Sequence, residues 1–139
     1  MVNKYLGDGF MAIFGAGDSG SKHACDAVSA GCEILRAVKG LNDELAVKEH
    51  APIQIGIGIH SGPAIVGSVG SPQRLEFTAM GNTVNIASRI QGLTKTVGRP
   101  LLVTAVVRDR AGGSFQFEEL SPQEVRGIEG RVMIFAVRV

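Results

Sequence analysis

Residues 53–60 carry isoleucine at every odd position, with Gln54, Gly56, Gly58 and His60 between them. A period of two puts alternate side chains on opposite faces, so the segment predicts a strand with one greasy face and one nearly bare face. A bare face lets another backbone, chain or ligand come close. Ser61-Gly62-Pro63 reads as a turn and residues 64–69 as the strand returning beside it.

A different rhythm fills residues 21–47. Ala24, Val28, Gly31, Leu35, Val38 and Leu45 follow steps of three, four and seven, the stripe of an amphipathic helix. Asp18, Ser19 and Ser21 are its candidate N-caps, and Gly40 reads as a kink or a point of close packing. Ahead of that helix, residues 2–6 and 10–14 are apolar runs around Gly7-Asp8-Gly9. They predict a hairpin on an Asp-Gly turn, because such turns need a positive φ that glycine supplies freely.

Beyond a polar loop, residues 75–80 predict a short extended piece, and Asn82 is placed to cap a helix on which Ile86, Ile90 and Leu93 share a side. A strand at 101–103, a short helix at 105–110 and strands at 115–120 and 131–137 complete the reading. Helices alternating with hairpin-like strand pairs predict an α+β fold. Its form is a ferredoxin-like sandwich, a mostly antiparallel sheet with helices packed on one face.

Composition narrows the class. A length of 139 residues holds one domain, here taken as 1–139, and not two. Fourteen basic against 13 acidic side chains, with no basic run, leave no electrostatic footprint for nucleic acid or an anionic membrane. No stretch nears the ~20 apolar residues of a spanning helix, so membrane insertion is not expected. The first residues lack the apolar core of a secretory signal, so a soluble cytoplasmic chain is expected. Cys25 and Cys32 lie seven apart in one predicted helix, about 10 Å between Cα atoms. That is too far for a disulfide, and both read as small core residues in a reducing compartment. Nineteen glycines are about twice the usual share, without the repeat of collagen, so glycine serves specific places.

The candidate chemistry is sparse. Residues 15–20 match the GxGxxG fingerprint, but the position about 20 residues on, where an acidic ribose ligand belongs, falls inside the long helix near Gly40. A dinucleotide site is therefore disfavoured, and no GxxxxGK[ST] loop exists. Asp8 at the hairpin tip could ligate Mg²⁺, although alone it is an ordinary turn residue. His60 has no second histidine or cysteine at ligand spacing and reads as a satisfied histidine at a strand end. Asn85 and Arg89, four apart, share one helix face, and an amide beside a guanidinium suits a ligand with a sugar and phosphates.

Three segments give these weak signals an order. Lys4-Tyr5-Leu6-Gly7-Asp8-Gly9-Phe10-Met11-Ala12-Ile13-Phe14-Gly15 comes first, then Gly56-Ile57-Gly58-Ile59-His60-Ser61-Gly62-Pro63, then Phe77-Thr78-Ala79-Met80-Gly81-Asn82-Thr83-Val84-Asn85-Ile86-Ala87-Ser88-Arg89. Together they resemble the catalytic domains of class III nucleotidyl cyclases. The resemblance implies that Asp8 helps to hold a pair of Mg²⁺ or Mn²⁺ ions, and that Lys4 and Thr78 select the purine. That pair is similar to the one in bacterial and soluble-type adenylate cyclases. A lysine can donate to adenine N1, and a threonine hydroxyl can accept from the adenine amino group.

By the same resemblance Asn85 orients the ribose and Arg89 stabilises the transition state at the α-phosphate. Arg126 stands where the family often has a triphosphate-binding lysine, a change that keeps the charge and alters its geometry. The implied reaction turns ATP into 3′,5′-cyclic AMP and pyrophosphate in signal transduction, at sites between two chains in a head-to-tail homodimer. The family domain opens with a strand bearing another metal aspartate, a glycine-containing phosphate loop and a helix, and nothing before Met1 matches them. A chain truncated at its N-terminus and lacking that strand and helix is expected, with a fused regulatory domain outside it. The Lys and Thr subtype also implies a bicarbonate response. The alternative is a non-catalytic nucleotide-binding or dimerising module.

Overall fold

The computed structural model of the chain describes residues 1–16 and 22–139. Strands β1 (Val2–Leu6) and β2 (Gly9–Ala12) lead to helix α1 (His23–Val47), followed by β3 (Ile57–Ile59), β4 (Ile65–Ser71), β5 (Arg74–Met80) and α2 (Asn82–Val97). Then come β6 (Leu101–Thr104), α3 (Ala105–Ala111), β7 (Phe117–Glu119), β8 (Gln123–Glu124), β9 (Arg131–Val132) and β10 (Ile134–Val137). The predicted α+β class, with mostly antiparallel pairing and helices packed on a sheet, is what the chain adopts.

The core is organised by β6 and β10, each buried along its whole length. They form the middle of a four-stranded sheet in the order β3-β6-β10-β7, in which β3 runs parallel to β6 and the other pairs are antiparallel. Leu101, Val103, Phe135 and Val137 pack with Val28 and Cys32 of α1 and Val107 of α3. Their neighbours Leu102, Ile134 and Ala136 face Ile86 and Ile90 of α2. Helices therefore cover both faces, where the pattern predicted one. A strand buried on both sides has no polar alternation, as Leu101-Leu102-Val103 shows.

The isoleucine segment differs most from expectation. Only Ile57–Ile59 is strand, and it pairs with β6 instead of with residues 64–69. Those residues belong to β4, which pairs with β5 from Ile65 opposite Met80 to Ser71 opposite Arg74. Ser71 opposite Arg74 leaves the two-residue loop Pro72-Gln73, which folds the chain straight back. The Ser61–Pro63 segment is committed elsewhere, since Thr83 Oγ1 donates to the Pro63 carbonyl at 2.6 Å and ties it to the start of α2. The bare face of β3 also has an occupant within the chain. A Cβ at Gly58 would lie 2.7 Å from the Ala87 carbonyl oxygen, so α2 rests directly on the β3 backbone.

Other details shift less. In the first hairpin Leu6 pairs with Gly9, leaving Gly7 and Asp8 as the loop, with the positive φ of 62° on Gly7. The turn is thus Gly-Asp, with glycine in the first central position as in a II′ hairpin, and not Asp-Gly. Gly40 faces open space inside a continuous α1, and no described α1 residue after Cys32 is buried. The cap candidates Asp18, Ser19 and Ser21 lie outside the described residues. Both cysteines are free, Cys32 in the core and Cys25 half-buried. The predicted strand 131–137 breaks at Met133 into β9, paired with β8, and β10. No described helix is long and apolar enough to cross a membrane.

Candidate active site

Helix α2 presents Asn85 and Arg89 because Ile86 and Ile90, each one residue further along, are pulled onto the sheet. Asn85 is exposed and Arg89 half-buried. Arg89 Nη1 donates to the carbonyl of Arg126, and Asn82 Nδ2 donates to the carbonyl of Gly127 at 3.2 Å. The turn they grip is anchored by buried Val125 and closed by the bond from Ile128 N–H to the Val125 carbonyl at 3.1 Å. Arg89 is thereby joined to the Arg126 backbone, and Asn85 lies one turn before Arg89 on the same face of α2. Asn82 is not the predicted cap. Gly81 occupies that position, and the Asn82 side chain is spent on the turn.

Of the two residues assigned to the purine, Thr78 contacts the chain neighbour of Lys4 across two hairpins. Thr78 is 5% exposed on β5, and its hydroxyl donates to Asn3 Oδ1 on β1 at 3.0 Å. Lys4, next in the chain to Asn3, is half-buried. Between the paired positions Val2–Ala12 and Lys4–Met11 the ladder slips by one residue, so Asn3 is an extra residue in β1. Such a bulge breaks strict alternation and re-aims a side chain. Asn3 and Asn82 are contacts that sequence reasoning missed, since neither follows a periodic pattern.

Asp8 stands apart. It is exposed at the tip of the β1–β2 hairpin, five residues from Asn3, which is about 15 Å along an extended strand. Among the described residues, no three or more His, Cys, Asp or Glu side chains gather as a metal site. What the hairpin offers is one exposed carboxylate on a two-residue turn, a hard oxygen donor suited to Mg²⁺ or Mn²⁺ that is otherwise ligated by phosphates. His60 is engaged within the sheet: its Nδ1 lies 2.8 Å from Thr104 Oγ1, and burial pushes its pKa below the ordinary 6.5.

Comparison with known proteins places this geometry. Residues 3–138 match the family model described as the adenylate and guanylate cyclase catalytic domain. The chain belongs to that cyclase family. An adenylate cyclase of Anabaena cylindrica is 35% identical over 99% of this chain, which spans 28% of that relative's length. Among solved structures, the adenylyl cyclase CyaB from P. aeruginosa superposes with a TM-score of 0.87 at 26% identity. The guanylyl cyclase Cya2 superposes with a TM-score of 0.85, also at 26% identity. The two superpositions each cover 99% of this chain, and 71% and 68% of the solved chains respectively. The cyclase fold is thus shared with enzymes named for either purine.

Proposed function

We propose that the chain is the catalytic domain of an adenylate cyclase that converts ATP to 3′,5′-cyclic AMP and pyrophosphate at sites shared by two copies arranged head to tail. One observation carries the reading. The metal-type carboxylate of Asp8 is exposed at the hairpin tip, beyond the last strand pair Leu6–Gly9, while Thr78 is buried against Asn3 near the other end of the same hairpin, so one nucleotide is better served by the Asp8 of one chain and the Thr78 of another. The exposed apolar residues of the same hairpin, Tyr5 and Phe10, suit such an interface.

In this reading Lys4 donates to adenine N1 and Thr78 accepts from its amino group, which disfavours guanine. Asn85 holds the ribose so that its 3′ oxygen lies in line with the α-phosphorus. The new P–O bond then forms as the bond to the β-phosphate oxygen breaks. Arg89 has one N–H on the Arg126 carbonyl and further donors free to face the charge gathering on the α-phosphate. The Arg126 side chain, on the turn that Arg89 grips, receives the leaving pyrophosphate. Asp8 would hold Mg²⁺ or Mn²⁺, which supplies neutralising charge and activates the attacking oxygen when bound.

The test uses the full-length protein with ATP and Mn²⁺. Asp8→Asn and Arg89→Ala should each lower cyclic AMP formation by about a hundredfold or more, with the melting temperature of Asp8→Asn unchanged. Mixing the two inactive variants should restore about a quarter of the wild-type rate, because half the dimers are mixed and each mixed dimer has one intact site. Full activity of Asp8→Asn would refute the metal assignment. No recovery on mixing would refute the shared site, and nucleotide binding without turnover would leave a dimerising module.

A further inference from the structure

We propose that Asn3 fixes the direction of the Thr78 hydroxyl proton and so makes Thr78 an acceptor, matched to the amino group of adenine and opposed to the carbonyl of guanine. The inference rests on the reading that Thr78 meets the purine.

A threonine hydroxyl carries one proton and two acceptor lone pairs, and by itself it can present either to a ligand. It therefore cannot discriminate an amino group from a carbonyl at the same edge of the ring unless something else commits the proton. At Thr78 the described partners do so. The hydroxyl lies 3.0 Å from Asn3 Oδ1 and 3.4 Å from the Ala79 carbonyl, and both are acceptors. Asn3 Oδ1, at hydrogen-bond distance where the Ala79 carbonyl is at the far limit, takes the proton, and only lone pairs remain for the base. Thr78 is 5% exposed, so little water reaches the group to reverse the arrangement. The bulge at Asn3 is what permits the contact, because the extra residue breaks strict alternation and sends an amide from β1 onto β5.

The opposite amide orientation would reverse the outcome. With Asn3 Nδ2 donating to the Thr78 oxygen, the threonine proton would be free to meet a carbonyl, as guanine offers. Asn3 is thus a positioning residue for base choice, acting through Thr78.

The readout is the ratio of kcat/KM for ATP to that for GTP in the full-length protein. Thr78→Val removes the hydroxyl and keeps the shape, and should lower the ratio about tenfold. Asn3→Leu removes the amide at similar volume and should lower the ratio by a similar factor. Asn3→Asp keeps only acceptor oxygens and should preserve the ratio, which tests the polarity even if Asn3→Leu does not fold. A purely structural Asn3 predicts that Asn3→Leu lowers both kcat/KM values together and leaves the ratio unchanged. That result, beside a lowered ratio in Thr78→Val, would overturn the inference alone. An equal loss in Asn3→Asp and Asn3→Leu would overturn it too. An unchanged ratio in Thr78→Val would overturn the reading of Thr78 and the inference with it.

Discussion

The sheet with its three helices and the rim of hairpins beside it are built on opposite terms. In the sheet, Ile90, Leu102 and Ile134 are fully buried, and among the described residues no buried side-chain polar atom lacks a partner. On the rim, Tyr5 is 80% exposed and Ile65 72%, and Tyr5 meets Phe10 of the same hairpin edge-on at 6.4 Å. One region is complete within a single chain. The other keeps an apolar surface that becomes favourable only when a second surface covers it. The candidate site follows this division, with Asn85 and Arg89 on an element fixed by the core and Asp8 on the rim.

The largest expected effect tests the sheet side. Ile90→Ala removes a fully buried side chain between α2 and the sheet and should cost about 3 kcal/mol of stability. Thermal or urea denaturation reads it directly. A loss under about 0.5 kcal/mol, the range of ordinary surface substitutions, would mean that α2 is not held as rigidly as its packing implies.

The rim should behave in reverse. Tyr5→Ser should shift the stability of the isolated chain by less than about 0.5 kcal/mol while weakening self-association by about tenfold. Sedimentation across a concentration series measures the second quantity, and denaturation the first. Unchanged association would show that the apolar face of the hairpin is not where two chains meet, and the contrast between the regions would lose its functional meaning.

Legibility in the sequence follows the same line. The helices α1 and α2 were readable because their apolar positions repeat at helical spacing, and the first hairpin because Gly7 and Asp8 punctuate two apolar runs. The isoleucine run was misread because a period of two says which side chains share a face and nothing about the partner strand. Ile57 pairs with Leu101, a residue more than forty positions away. The bare face of Gly58 announced a close approach without naming α2 as the visitor. At the site, the roles proposed for Lys4, Asp8, Thr78, Asn85 and Arg89 rest on the order of three motifs. The grip of Asn82 and Arg89 on the Arg126–Gly127 turn was not readable at all, because it joins segments more than thirty residues apart through side-chain to backbone bonds.

The smallest effect separates the regions by pH. His60 follows β3 and reaches Thr104 at the end of β6, so it belongs to the sheet side. Burial lowers its pKa from 6.5, which means that below this pH the unfolded chain binds a proton that the folded chain resists. The associated stability is complete above pH 6.5 and is lost as pH falls through the lowered folded value. His60→Gln keeps a hydrogen-bonding group for Thr104 and removes the titration. Its melting temperature should therefore fall less steeply than that of the wild type as pH drops below 6.5. Parallel curves would show that His60 accepts its proton as readily folded as unfolded. The link between β3 and β6 would then be open to water, and the sheet less sealed than its burial implies.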